Sequence, residues 1–311
     1  MKPASWPSAL ACPDRASNYE DMRRREFLQA AATGAFALSW TREASAAGGK
    51  ILYFTRSQGF EHSAVARKAG ELAYSEKLLV ELGRRWGVTV ECTKDGRVFD
   101  GDLDQYDVIA FYTSGDLTQP SKDGSQPMSP RGKQNLLDAV AAGRGFVGIH
   151  SAADTFHSKG PRDENQTEVD PYIAMIGGEF VSHGEQQEAS LFMTSRFPGT
   201  SNLGIAEGLA FTEEWYTFKN FARDLHVIFV QETGLMKGKP YQRPDFPATW
   251  ARMHGKGRVY YTSLGHREDM WTNPFFQEIL RGGIEWASGK AGFELQPNIG
   301  SVTPECGKLK N

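Results

Sequence analysis

The chain has 311 residues, 40% of them hydrophobic and 23% charged, with a formal net charge of -3. No basic stripe runs through its body, so nothing electrostatic argues for nucleic acid. A length of this order admits two domains, or one α/β domain with a sizeable core.

Arg24-Arg25-Glu26-Phe27-Leu28-Gln29 is followed by a short apolar stretch from Ala30 to Trp40 and then by Ala44-Ser45-Ala46. A basic region, an apolar segment and an A-x-A cleavage site in that order make residues 22–46 a signal peptide. Residues 1–21 are then an upstream extension, with Met22 as the start. The arginine pair with Phe-Leu resembles the twin-arginine export signal, which implies the twin-arginine machinery as a partner and a periplasmic or secreted mature protein. The apolar stretch falls well short of the roughly 20 residues that span a bilayer, so no stable membrane anchor is expected. Cys92 and Cys306 remain after cleavage, either free or paired in an oxidising compartment.

Along the mature chain, Lys50–Arg56 reads as a strand and Ser63–Trp86 as a helix burying Val65, Ala69, Leu72, Leu79 and Leu82. Val88–Cys92 and Tyr106–Tyr112 follow as strands. Ser129 caps a helix to Ala142, with Pro130 at its first position. Gly143-Arg144-Gly145 ends that helix, and Phe146–Ile149 runs as a buried strand into a tight turn with His150 at its apex. Such an elbow exposes a nucleophile in hydrolytic folds, but here the apical residue is an imidazole. Further strands are expected at Ala189–Thr194, Leu209–Phe211, Val227–Gln231, Thr249–Met253 and Arg258–Ser263, and a closing helix at Pro274–Ala287. Residues 291–311 read as a loosely packed tail, and 116–131 and 159–170 as long loops able to cover a site. Alternating strands and helices argue for a mostly parallel sheet covered on both faces, with ligands at the carboxyl ends of its strands.

Of seven histidines, His62, His150, His183 and His266 follow strands or sit in turns, and His157 lies just beyond the elbow. Three readings stay open. Two or three imidazoles with a carboxylate suit zinc or a related divalent metal, with His62 and His183 as ligands. His150 and His266 can instead act as acid and base, with Glu214 orienting or protonating. The third reading leaves them as satisfied loop residues. Glu213-Glu214 pairs two carboxylates able to divide ionised and protonated roles. Trp215 and Tyr216 beside them offer a surface for a sugar ring, and Ser151 and Asp154 can contact substrate.

The run GFEH at 59–62, GRGFVGIHSAADTF at 143–156, IGGEFVSH at 176–183, EEWYTF at 213–218 and GKGRVYYTSLGH at 255–266, followed by a helix ending in WAS, resembles the ThuA-like (trehalose utilisation) family. The match covers Lys50 to Ser288, consistent with a domain at 47–290 and a tail at 291–311. The resemblance implies a flavodoxin-like three-layer α/β sandwich like that of class I glutamine amidotransferases, without their cysteine. It implies carbohydrate metabolism and a small-molecule carbohydrate substrate, with amidotransferase activity rejected because the thiol is missing. His266-Arg267-Glu268 has the spacing of an amidotransferase histidine and glutamate. Glu61 and Glu213 depart from the Arg and Asp frequent in the family. The function expected is an enzyme acting on a sugar or keto-sugar by histidine acid/base chemistry; the alternatives are a non-catalytic sugar-binding protein and a zinc-dependent hydrolase of another small molecule.

Overall fold

The computed structural model describes residues 49–201 and 208–310; the signal-peptide reading and the upstream extension lie outside them. Among the described residues eleven strands form: β1 (Lys50–Phe54), β2 (Thr89–Thr93), β3 (Val108–Phe111), β4 (Gly145–Ile149), β5 (Glu179–His183), β6 (Gln187–Met193), β7 (Leu209–Glu213), β8 (Tyr216–Lys219), β9 (His226–Gln231), β10 (Phe246–His254) and β11 (Gly257–Thr262). The α-helices are α1 (Tyr74–Trp86), α2 (Pro130–Ala142), α3 (Pro171–Ile176), α4 (Glu268–Thr272), α5 (Pro274–Ala287) and α6 (Ile299–Val302).

Nine strands make one mixed sheet in the order β2-β1-β3-β4-β11-β10-β9-β6-β7. The pairings from β2 to β11 are parallel. Those from β11 to β7 are antiparallel and extend the sheet. β5 and β8 form a separate antiparallel ribbon that pairs His183 with Tyr216.

The parallel strands alternate between two cores. Leu52, Phe54, Ile109, Phe111 and Phe146 face one cluster together with Leu136 and Val140 of α2. Ile51, Tyr53, Val108, Ala110, Val147 and Ile149 face the other, with Leu79 of α1 and Phe276, Ile279 and Leu280 of α5. Period-2 alternation with both faces apolar is what a strand needs when helices cover both sides. It also places the carboxyl ends of β1, β3, β4 and β11 along one edge, where Phe54 pairs with Phe111 and Ile149 with Thr262.

The helix expected from Ser63 begins only at Tyr74, after a single 3-10 turn at Ser63–Val65. Ala69 and Gly70 both take left-handed φ, +52° and +78°, which breaks the helix despite the apolar spacing. Glu76 then starts α1 by accepting from the Ala73 amide at 2.8 Å. The final segment is not loose either. Ile299, Thr303 and Cys306 are buried, and the buried Arg243 donates to the Cys306 carbonyl at 2.7 Å. Cys92 and Cys306 are free thiols. No helix among the described residues is long and apolar enough to cross a membrane.

Candidate functional site: a histidine cluster around Glu214

The elbow forms with His150 at its apex, but the imidazole is buried rather than exposed to solvent. His150 follows β4 directly and takes φ +46°, a conformation uncommon for a residue with a side chain. Gly148 is obligatory beneath it, since an added Cβ would stand 2.9 Å from both Ile176 Cδ1 and Tyr261 Cδ2. Tyr261 on β11 donates to the His150 carbonyl at 2.7 Å, and the Ser263 carbonyl accepts from His150 Nδ1 at 2.8 Å. A carbonyl can only accept, so Nδ1 carries the proton and Nε2 keeps its lone pair.

That lone pair points at Glu214, in the turn between β7 and β8. Glu214 Oε2 lies 3.4 Å from His150 Nε2, 3.0 Å from His266 Nδ1 and 3.9 Å from His62 Nε2. Its Oε1 lies 3.4 Å from His183 Nδ1. His62 comes from the loop after β1, His150 from the end of β4, His266 from the loop after β11 and Glu214 from the end of β7. Four segments distant in sequence therefore meet beyond one sheet edge. His62 and His150 are buried, Glu214 and His266 are 12% and 17% exposed, and His183 stands at 44% on the rim.

The electrostatics follow from burial and contact. Burial drives His150 down to about 3 and also lowers His62, so both rings are neutral at physiological pH. Burial opposes ionisation of Glu214, but its contacts with the surrounding imidazoles, His266 Nδ1 at 3.0 Å the shortest, overcome it and hold the carboxyl below the usual range. Burial raises its neighbour Glu213. Glu213 accepts from the backbone amides of Gly265 at 3.0 Å, Arg267 at 3.4 Å and Glu214 at 2.9 Å. It thereby ties the Glu214 turn to the His266 loop.

Other expected site residues fall differently. Trp215 and Tyr216 are 1% and 2% exposed, so neither offers a face to a sugar. Trp215 packs in the core with its indole N–H on the Gln187 carbonyl, because it sits between a β7 and a β8 that are both buried at that point. The Tyr216 hydroxyl instead reaches His62 Nε2 at 3.3 Å. The exposed aromatic beside the cluster is Phe60, 67% accessible, with its ring 4.9 Å from that of His62. Ser151 is buried with its hydroxyl unpartnered. Glu268 is exposed at the start of α4 and makes no hydrogen bond to His266, whose acidic partner is Glu214. Gln186, not singled out by the sequence, bonds His266 Nε2 at 3.0 Å and Arg267 at 3.0 Å. His183 Nδ1 also meets its neighbour's carbonyl, Gly184 O, at 2.9 Å, so this ring too carries its proton on Nδ1.

Asp154 belongs to a second cluster. His157 bonds Asp154 at 2.8 Å and Glu179 at 3.1 Å. Arg162 pairs with Asp154 at 2.9 Å. Glu179, 1% exposed, also accepts from Ser158 Oγ at 2.6 Å and Asn220 Nδ2 at 2.7 Å, with Lys219 Nζ at 3.7 Å. Lys219 Nζ also donates to the Pro161 carbonyl at 3.0 Å and Asn220 Oδ1, just past β8, accepts from the Gln166 amide at 2.7 Å, which pins the 159–170 loop to the β5–β8 ribbon. The 116–131 loop is held from below by buried Arg56, which donates to the carbonyls of Leu117 and Gln119.

Fold and cluster together define an α/β protein whose polar centre lies beyond the carboxyl edge of a large mixed sheet, built from imidazoles around one carboxylate. The chain belongs to the ThuA family, described as trehalose utilisation, which it matches over residues 50–287. Membership supports a carbohydrate-related role. Among solved structures, a ThuA-like protein of Bacteroides uniformis ATCC 8492 aligns with TM-score 0.57 at 16% identity, over 81% of this chain and 95% of that one. A ThuA-like protein of Parabacteroides merdae ATCC 43184 aligns with TM-score 0.54 at 18% identity, over 81% and 94%. At these identities the likeness is one of fold. No curated protein sequence matches the chain.

Proposed function

We propose that the protein is an enzyme of carbohydrate metabolism that acts on a sugar or keto-sugar derivative at the Glu214 cluster. In this reading it uses a flavodoxin-like three-layer frame and is exported to the periplasm by the twin-arginine route. The observation that carries the proposal is the division of Glu214 between two kinds of imidazole. Its Oε2 faces His62, His150 and His266 on the inner side, and its Oε1 faces the rim histidine His183.

His183 presents the arrangement of an oriented base. Its Nδ1 proton is directed to Gly184 O and Glu214 Oε1, which leaves the Nε2 lone pair for a substrate proton. His150, driven down to about 3, is too weak a base to take that part. Its role shifts from one half of an acid and base pair with His266, as expected, to holding a lone pair in place beside His266 and Glu214. A keto group on the sugar would acidify the adjacent C–H; abstraction by His183 then permits elimination, hydration or isomerisation. Phe60 takes over the stacking role expected of Trp215 and Tyr216. Zinc-dependent hydrolysis of another small molecule is the second reading, favoured by three imidazoles sharing one carboxylate oxygen.

The test is turnover of 3-keto glycosides and their parent glycosides by the purified mature protein, with His183→Ala alongside. Turnover of one class and a loss of about 100-fold or more in the variant are expected. Sugar binding without turnover by the wild type, unaltered in His183→Ala, would identify a binding protein instead.

A further inference from the structure

We propose that His62, His150, His266 and Glu214 form a binding site for a single first-row divalent cation of the zinc class, with His183 outside the ligand set. The ligand atoms are His62 Nε2, His150 Nε2, His266 Nδ1 and Glu214 Oε2.

Geometry comes first. The four residues bring one ligand atom each to within 4.8 Å of all the others. A tetrahedron with metal–ligand bonds of about 2.1 Å has edges of about 3.4 Å. The edges here are 3.0 Å for His266–Glu214, 3.3 Å for His266–His150, 3.4 Å for His150–Glu214 and 3.9 Å for His62–Glu214. All four exceed the distance of a charge-assisted hydrogen bond and together bracket the tetrahedral value, and the two remaining edges, from His62 to the other imidazoles, lie within 4.8 Å.

Hydrogen bonding alone leaves the cluster unbalanced. His150 spends its proton on Ser263 O, so its Nε2 lone pair and the Glu214 Oε2 acceptor beside it share one donor, His266 Nδ1, at 3.3 Å and 3.0 Å. The Tyr216 hydroxyl is 3.3 Å from His62 Nε2, long for an O–H donor, and does not saturate that nitrogen. His62 Nδ1 is buried without a partner. Among the described residues, every ion-pair partner of Glu214 is a histidine and none is Lys or Arg. A negative, lone-pair-rich pocket with no resident cationic side chain matches a dication.

The surroundings match as well. Ser263 O fixes the tautomer of His150, the support that a ligating imidazole needs. At His266 the Gln186 amide donates to Nε2, so cation binding has to displace the proton from Nδ1. Glu213 fastens the two loops that carry Glu214 and His266. Three nitrogens and one oxygen suit zinc, cobalt, nickel, iron or manganese, whereas calcium and magnesium take oxygen ligands. His62 and His150 close the inner side while Glu214 and His266 reach solvent, so a further coordination position opens toward Phe60 and His183. A sugar carbonyl or hydroxyl bound there would stand next to the proposed base. That last step rests on the carbohydrate reading; cation binding itself does not.

The experiment uses untagged mature protein, stripped with a chelator and titrated first with zinc and then with cobalt. About one equivalent per chain is expected, with the intense visible bands of four- or five-coordinate cobalt. Glu214→Gln and His266→Gln should each weaken zinc binding about 100-fold or more, while His183→Ala keeps one equivalent. Binding well under half an equivalent, a weak octahedral cobalt spectrum, or full binding by the Glu214→Gln/His266→Gln double variant would each overturn the proposal. Should the double variant fail to fold, the wild-type cobalt spectrum decides. Stoichiometric zinc in a protein that turns over no sugar would discard the substrate reading and leave the cation site standing.

Discussion

The chain builds two histidine–carboxylate clusters, and they are opposites. Around Glu179 each charge is answered: His157 bridges Asp154 and Glu179, Arg162 answers Asp154, and Ser158, Asn220 and Lys219 surround Glu179. Burial opposes protonation of His157, but its bonds to Asp154 and Glu179 overcome that and raise it to about 9. Around Glu214 the imidazoles converge on one carboxylate, and burial keeps His62 and His150 neutral. A cluster whose polar groups satisfy one another holds loops together. One whose lone pairs point inward at a shared centre is arranged for something that arrives later. Residue types alone do not separate the two; the direction of each nitrogen does.

The sharpest break would come from deleting each carboxylate in turn. Glu179→Ala should cost about 3 kcal/mol of stability in urea unfolding, because it strands buried Lys219 and removes the partners of Ser158 and Asn220. Glu214→Gln should cost no more than about 1 kcal/mol, since the amide keeps one acceptor for His266. It should nonetheless weaken zinc binding about 100-fold or more. Equal losses in both variants would erase the distinction between scaffold and site.

A pH series sharpens the scaffold side. Because the folded pKa of His157 lies above its unfolded value of about 6.5, its stabilisation is fully present below that pH and fades as pH rises through about 9. The groups facing it are Asp154, Glu179 and Arg162, with Lys133, Asp116 and Asp170 lining the 320 Å³ pocket beside it. His157→Gln should flatten that alkaline slope of the unfolding midpoint; an unchanged slope would place the titration elsewhere.

The smallest effect tests the rim. Phe60→Ala should leave stability within about 0.5 kcal/mol, as expected of a ring that is largely exposed. It should weaken sugar binding roughly fivefold to tenfold, with Phe60→Trp restoring it. Loss of stability without loss of binding would make Phe60 a packing residue.

Much of the frame was legible in the sequence. The α2 and α5 helices run as expected to Ala142 and Ala287, because Ser129 and Asn273 cap them and Pro130 and Pro274 occupy their first positions. The apolar runs of β3, β4 and β9 are strands for the same transparent reason, burial on both faces. Periodicity misled at Ala69 and Leu72, where backbone φ at Ala69 overrides the pattern and leaves Leu72 at 36% exposure, while Val65 is buried as expected but from a 3-10 turn. Pattern also carries no strand direction, so the antiparallel half of the sheet and the β5–β8 ribbon needed coordinates. In the site, strand-end histidines were visible, and His62, His150 and His266 do meet. What sequence lacked was orientation: which oxygen of Glu214 each ring faces, that Trp215 and Tyr216 turn inward, and that Glu268 stays in solvent. Glu213 was visible as half of a carboxylate pair, but its hold on the Gly265 and Arg267 amides was not, and Gln186 had no signal.

The four groups of the inner cluster come from positions 62, 150, 214 and 266, on segments spread across the sheet from β1 to β7. No stretch shorter than residues 62–266 carries them all, and none of their contacts is local. Closing such loops is the slow part of assembling a protein of this topology. The cluster is therefore complete only when the last strand has docked. A spectroscopic cation held there would report the final step of folding rather than any earlier one, giving a readout of native chain that collapsed or truncated forms cannot mimic.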